Sequence, residues 1–238
     1  MTPLASDSAM VLAAGLGTRM RPLTDTLPKP LIKVAGRPLV DHALDRLAEA
    51  GIAKAVVNVH YLADAVEAHV ASRTAPRVTV SDERDLLLET GGGMIKAADL
   101  LPDPFFCVNS DNIWIDGPTD VFHELSQAWD PATMDALLLL VPHTGAHNFA
   151  GKGDFHMDGR GRLARRRSGR IAPFIFTGVQ LVSKHLLREP PEGPFSTNVL
   201  WTRAIEEGRL YGCVFTGMWF EVGTPEAIAP TELVLAGG

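Results

Sequence analysis

The chain has 238 residues, 46% of them apolar, and carries a net charge of −6 at neutral pH. That length and apolar fraction bury a substantial core, in one large α/β domain or a domain with an elaboration, and exclude an intrinsically disordered chain. The acidic balance argues against nucleic acid as a general partner, and no apolar run is long enough to make a membrane a partner.

The first element in chain order is an apolar run over 10–14, read as a buried strand. A glycine-rich turn, Gly15-Leu16-Gly17-Thr18, follows at once. After it come Arg19, Arg21, Lys29 and Lys33 against a single acid, Asp25. Glycines leave backbone N–H groups free to curl around an anion, and fixed cations beside them favour a polyphosphate. The block 10–40 therefore reads as a triphosphate site. A Walker A loop is excluded because no Gly-Lys-Ser/Thr occurs, and the dinucleotide fingerprint fails at Met20, where a third glycine belongs.

Strand and helix signals then alternate. A helix over 38–50 sets leucines 39, 44 and 47 on one face and stops at Gly51. Strand 55–59, helix 61–71 and strand 77–81 follow. The segment 89–101 opens on Gly91-Gly92-Gly93 before turning helical, which either leaves backbone groups open for close approach of a base or serves only as a flexible helix entry. Strand 105–108 ends at Asn109-Ser110-Asp111, and helix 118–129 and strand 136–141 complete the series. This rhythm predicts an α/β, three-layer, mostly parallel sheet with right-handed crossovers.

Beyond Pro142 the pattern changes. Strands over 154–157 and 162–166 flank Asp158-Gly159-Arg160-Gly161, a hairpin signal. A strand over 175–182, a helix over 195–208 capped by Ser196, a strand over 210–216 and a helix over 225–235 close the chain. The expected organisation is a nucleotide-binding half over 1–141 and a second half over 142–238 that covers the site and receives the other substrate.

In open α/β sheets, ligands bind beyond the carboxyl ends of the strands. Asp111 stands at such an end, well placed for Mg²⁺, which takes one or two carboxylates plus phosphate oxygens; alone, it equally caps a turn. A second carboxylate, Glu221, sits between bulky apolar residues in Trp219-Phe220-Glu221-Val222. It is either a metal ligand or a buried glutamate paired to a basic residue. Cys107 and Cys213 lie in apolar runs and read as reduced core residues, without disulfide or metal spacing. His143 and His147 are four apart, but Pro142 and Gly145 break the helix that would align them on a metal. His60 either faces the nucleotide or packs. The first residues lack a basic n-region and a long apolar run, so no signal peptide is read and a cytoplasmic protein is expected.

GLGTRMRPLT followed by PKPL closely resembles the signature of the sugar-1-phosphate nucleotidylyltransferases. The likeness continues nearly end to end through VNVHYLAD, ETGGG, NSDN, GKGDF and FEVGT. The resemblance implies a Rossmann-like nucleotidyltransferase fold with a smaller, sugar-binding α+β elaboration. It also implies an enzyme with Mg²⁺ as cofactor, in which a sugar 1-phosphate oxygen attacks the α-phosphorus of a nucleoside triphosphate (NTP) and expels pyrophosphate. By the same resemblance Ala13, Ala14, Gly15, Gly17, Thr18, Arg19, Lys29, Glu89, Gly92 and Asn109 bind the nucleotide, and Asp111 and Glu221 hold the metal. Arg19 would clamp the leaving pyrophosphate, and Lys29 would reach the α-phosphate or the acceptor phosphate. Gly153 and Asp154 line the sugar pocket, and Thr177 meets the sugar phosphate.

The chain departs from the family at Glu221, where an aspartate is usual, and lacks the Glu-Glu-Lys-Pro element of the hexose-specific thymidylyl members. Near that element's place stand Arg165, Arg166 and Arg167, read either as a phosphate clamp or as a solvated hairpin edge. ETGGG is most similar to the uridylyl-transferring branch that acts on N-acetylmuramic acid 1-phosphate in peptidoglycan recycling. Two alternatives stay open: a guanylyltransferase for mannose or heptose 1-phosphate, and an inert nucleotide-binding regulatory module.

Overall fold

The computed structural model describes residues 3–237. The chain opens with β1 (Ser8–Leu12), a loop of short 3-10 turns, and the small ladder of β2 (Lys33–Val34) and β3 (Arg37–Pro38). Next come α1 (Leu39–Glu49), β4 (Lys54–Val59), α2 (Ala63–Val70), β5 (Arg77–Asp82) and α3 (Glu89–Ala97). β6 (Phe105–Asn109), β7 (Asn112–Ile115), α4 (Val121–Ala128), β8 (Ala136–Pro142) and β9 (Ala146–His147) follow. The remainder comprises β10 (Phe155–Met157), β11 (Leu163–Arg165), β12 (Phe174–Val182), α5 (Thr197–Glu206), β13 (Leu210–Val214), β14 (Met218–Glu221) and α6 (Ile228–Ala236).

A nine-stranded sheet in the order β11-β10-β12-β6-β1-β4-β5, with β8 and β13 joined beside β12, forms the middle layer. β6, β1, β4 and β5 are parallel, as the β-α-β rhythm predicts, while β12 runs antiparallel to both β6 and β8. Successive strand residues face opposite sides. Ala9 and Val11 therefore join the core beneath α1, α2 and α4, whereas Met10 joins the one beneath α3 and α5. Leu39, Leu44 and Leu47 of α1 are all fully buried, as their spacing requires. A third core, with Met20, Ile32, Ile113 and Phe220, lies between the N-terminal loop and the three-stranded sheet β7-β14-β9.

Several boundaries differ from the sequence reading. β1 ends at Leu12 because the Ala13 N–H turns to the Asn58 side chain (2.7 Å) instead of a ladder partner. Strands β7, β9 and β14 carry no sequence signal of their own length. The three glycines do not precede α3 but lie inside it. The first helical turn after 118 starts only at Val121, where the Asp120 carboxylate accepts the N–H groups of Phe122 and His123. Among the described residues no helix is long and apolar enough to cross a membrane.

Candidate active site

The carboxyl ends of β1 and β6 open into a cleft of about 320 Å³ lined by Ala13, Ala14, Gly15, Lys29, Asn58, Glu89, Thr90, Asn109 and Asp111, among others. A second cavity of about 280 Å³ continues from it, lined by Asp154, Phe155, Arg165, Phe176, Asn198 and Trp201. Leu12, Thr90, Asn109 and Ser196 belong to both, so the two form one bent trough.

The glycine turn works by two different devices. Nothing lies within 4 Å of where a Gly15 Cβ would stand, so the backbone there is open to a ligand. Gly17 instead has a left-handed backbone (φ +63), and a Cβ would meet Thr24 Cγ2 at 2.9 Å and Lys29 Cβ at 3.0 Å. Its carbonyl accepts the Thr24 hydroxyl at 2.9 Å. The Tyr61 hydroxyl in turn donates to the Thr24 carbonyl at 2.8 Å. Gly17 thus lets the loop close on the stem of Lys29. Thr18 and Arg19 sit exposed on the 3-10 turn Thr18–Met20, outside the cleft lining.

Both predicted carboxylates are met by loop cations. Lys29 Nζ lies 2.5 Å from Asp111 Oδ2, with the lysine side chain only 12% exposed. Arg19 Nη1 lies 3.4 Å from Glu221 Oε1. The guanidinium rests over Gly223, where a Cβ would come within 3.0 Å of it. Antiparallel pairing of β7 with β14 sets Glu221 opposite Asn112, one residue along from Asp111. Of these two partly exposed oxygen donors, Asp111 lines the cleft and Glu221 does not; both are of the ligand type that Mg²⁺ takes beside phosphate and water oxygens. No group of three or more His, Cys, Asp or Glu gathers among the described residues, so an all-protein metal cage is not what this site offers.

The segment 89–93 differs from its sequence reading. The N–H groups of Gly91 and Gly92 are not open: both donate to the Phe195 carbonyl, at 2.9 and 3.1 Å. Gly92 is buried and outside the cleft lining, and a Cβ on Gly93 would come 2.8 Å from Glu83 Oε1 and 2.9 Å from Asn58 Nδ2. The glycines are there so that α3 can pack flush against the 193–195 loop and the Asn58–Glu83 pair. What reaches the cleft is Glu89 and Thr90, and Glu89 holds a left-handed backbone (φ +59) rare outside glycine. Asn109 lines both cavities.

Asp154 lines the second cavity while its Oδ2 accepts the Phe176 N–H at 2.9 Å. Gly153 has φ +75 and packs against the Ala172 carbonyl, which no side chain would allow. Thr177 does not reach the trough: it is 1% exposed and its hydroxyl donates to the Leu139 carbonyl at 3.0 Å. Arg165 is not a solvated edge residue but lines the cavity; Arg166 instead ties Gly153 and Arg170 carbonyls, and Arg167 is exposed.

The histidines serve packing. His60 Nδ1 donates to the Glu83 carbonyl at 2.7 Å, His143 Nε2 to that of Ala172 at 2.9 Å, and His147 stacks on Phe220 with centroids 4.7 Å apart. Both cysteines are free thiols, and burial pushes that of Cys107 up to about 12. The strand-end rule points to the Asn58–His60 region, but not to what Asn58 does there: its amide accepts from Ala13 and donates to buried Glu83 at 2.8 Å, fixing the loop's point of departure. Sequence reasoning missed Trp201 and Ser196 as cavity walls. A polar residue inside an apolar strand run, AVVNV, was the available signal for Asn58.

The chain belongs to the family described as Nucleotidyl transferase, whose pattern matches residues 8–150. It is 46% identical over 233 residues, 96% of each chain, to the N-acetylmuramate alpha-1-phosphate uridylyltransferase of Caulobacter vibrioides. To the protein of that name from Neisseria meningitidis serogroup B it is 35% identical, over 91% of this chain and 93% of the relative. Among solved structures, the inositol-1-phosphate CTP transferase from T. maritima superposes with a TM-score of 0.80, covering 98% of this chain and 96% of that one, at 17% identity. That last likeness bears on the fold, and it matches the α/β sheet expected from the sequence. The chain is therefore a nucleotidyltransferase.

Proposed function

We infer that this enzyme transfers a uridylyl group from UTP to N-acetylmuramic acid 1-phosphate, giving the UDP-sugar and pyrophosphate. The observation that carries the reading is the Lys29–Asp111 pair, set at the end of β6 in a cleft that continues into a second, aromatic-walled cavity. The relatives at 46% and 35% identity support the donor and the acceptor.

In this reading residues 1–141 hold the nucleotide and residues 142–238 supply the acceptor wall. An oxygen of the acceptor phosphate attacks the α-phosphorus in line; a new P–O bond forms as the bond to the pyrophosphate oxygen breaks. The attacking phosphate is already ionised, so no general base is needed. The protein has to bring two polyanions together and offset charge at the transferring group. Lys29 reaches the α-phosphate or acceptor phosphate, and Arg19 clamps the leaving pyrophosphate. The open backbone of Ala14 and Gly15 cradles phosphate oxygens, and Glu89, Thr90 and Asn109 face base and ribose. Asp111 and Glu221 would hold Mg²⁺, which supplies positive charge against the reacting phosphates. In this reading the reaction belongs to peptidoglycan recycling, in the cytoplasm where UTP is available.

The test is steady-state kcat/KM with the 1-phosphates of N-acetylmuramic acid, N-acetylglucosamine, glucose and mannose, each crossed with UTP, GTP and dTTP. UTP with the muramic acceptor is expected to give the highest value. A maximum at GTP with mannose 1-phosphate would overturn the substrate assignment.

A further inference from the structure

Arg165 occupies an unusual place at the far end of the acceptor cavity. It lies on β11 opposite Phe155 in register. Its guanidinium carbon stands 5.0 Å from the Phe155 ring centroid and 5.5 Å from that of Trp201. The rings themselves are locked. Trp201 meets Phe155 and Phe176 edge-on at 6.0 and 4.8 Å, and its Nε1 donates to buried Gln180 at 3.1 Å. Stacking of this kind orients a guanidinium without neutralising it.

Arg165 also lacks an anion. Among the described residues it forms no ion pair, and its one hydrogen bond runs from Nη2 to the Asn198 carbonyl at 3.1 Å. Asp154, the carboxylate in the same cavity, spends Oδ2 on the Phe176 N–H and stays beyond ion-pair distance. Burial lowers the arginine's pKa, with only the field of Asp154 opposing it. An arginine keeps its charge nonetheless. A half-buried cation with free N–H donors, facing an empty volume, is complementary to an anionic ligand group.

Position decides which anion. The acceptor's 1-phosphate has to meet the α-phosphate near Lys29 and Asp111, in the first cleft. Leu12, Thr90, Asn109 and Ser196 form the junction, whereas Phe155, Arg165 and Trp201 line the second cavity alone. An acceptor seated phosphate-first therefore presents its remote substituents to Arg165. We propose that Arg165, stacked over Phe155 and Trp201 at the far end of the acceptor cavity, is the acceptor-selecting residue and pairs with a side-arm carboxylate, so that the site takes acidic sugar 1-phosphates over neutral ones. This rests on the acceptor reading above, since the lactyl arm of N-acetylmuramic acid carries such a carboxylate.

The experiment compares N-acetylmuramic acid 1-phosphate with its lactyl carboxamide, which removes the charge and keeps the shape. kcat/KM is measured with UTP for wild type, Arg165→Met and Arg165→Lys, with UTP affinity by calorimetry as a check of folding. Wild type should favour the acid by about 10–100-fold, the worth of a hydrogen-bonded ion pair. Arg165→Met should bring that ratio to near one, and Arg165→Lys should restore part of it. Equal losses on both acceptors would make Arg165 a phosphate clamp or a wall and overturn the proposal, as would an unchanged ratio in the folded Arg165→Met variant. A wild type that uses both acceptors equally well overturns the carboxylate subsite alone. A wild type that uses neither, yet turns over another sugar 1-phosphate, overturns the acceptor reading and the subsite with it.

Discussion

Replacing Asp111 by asparagine removes one negative charge and almost no volume, so its effects on folding and on turnover can be separated. The Asp111 side chain is 30% exposed and its partner Lys29 12% exposed, with 2.5 Å between Oδ2 and Nζ. Solvent screens a pair of that exposure, and an asparagine oxygen still accepts from the ammonium. The stability cost should stay near about 1 kcal/mol, or roughly a 2–4 °C fall in Tm for a chain of this size. The reaction should lose much more. A neutral amide is a poor Mg²⁺ ligand, and loss of a ligand costs on the order of 10²-fold or more in turnover, equal to about 2.7 kcal/mol. The assay is pyrophosphate release at saturating UTP and acceptor over a Mg²⁺ titration, beside a thermal melt. A folded Asp111→Asn variant with near-wild-type kcat and unchanged Mg²⁺ dependence would refute the metal assignment.

Gly17→Ala should destabilise by about 1–3 kcal/mol through overpacking and a strained backbone, because the new methyl would meet Thr24 at 2.9 Å and Lys29 at 3.0 Å. Gly15→Ala, with nothing within 4 Å, should leave urea unfolding unchanged. Asp135 is fully buried and accepts from Arg209 Nε at 2.6 Å, His185 Nδ1 at 2.9 Å and Arg188 Nη1 at 3.1 Å. Burial alone would raise its carboxyl, but these donors outweigh burial and hold it below its ordinary value. A depressed carboxyl stabilises the fold fully above its unfolded pKa, about 3.9, and loses that contribution as pH falls through the folded value. Asp135→Asn should therefore cost about 3–5 kcal/mol at pH 7, with the gap to wild type narrowing below about pH 4. A gap that is constant with pH in chemical unfolding would show that the charge is not what matters there.

What the sequence displayed well was chemistry packed into consecutive residues. The block from Gly15 to Lys33 was readable as a candidate site, because glycines and cations that act together on one loop must be neighbours in the chain, and the structure sets Gly15 and Lys29 of it in the cleft lining. Alternating α and β elements were equally legible wherever the apolar period ran for two turns or more, as in α1. Strands β7 and β14 were not, since each is four residues long and is held by partners distant in the chain, β7 by β14 across about a hundred residues and β14 by β9 as well. Gly91, Gly92 and Gly93 misled for a related reason. Three glycines argue locally against a helix, but contacts with Phe195, Asn58 and Glu83 override that preference, and no local pattern reports a contact of that range. Arg165 carried the same ambiguity: a run of three arginines on a hairpin looks solvated until the tertiary structure sets one of them over two aromatic rings.

These differences share a physical logic that bears on how the site is built. The carboxylates stand on or beside rigid ladders, Asp111 just past β6 and Glu221 at the end of β14, whose pairing with β7 fixes one relative to the other. The cations stand on a loop that has only short 3-10 turns, held by a glycine's close approach and a few hydrogen bonds. A site of this construction keeps its acidic pair in register, with each carboxylate already met by a loop cation, Asp111 by Lys29 and Glu221 by Arg19. The glutamate at 221 fits the same logic. On a strand held this firmly, the added methylene changes the reach of the carboxylate and not its anchor, and it is the carboxylate's Oε1 that meets Arg19 at 3.4 Å.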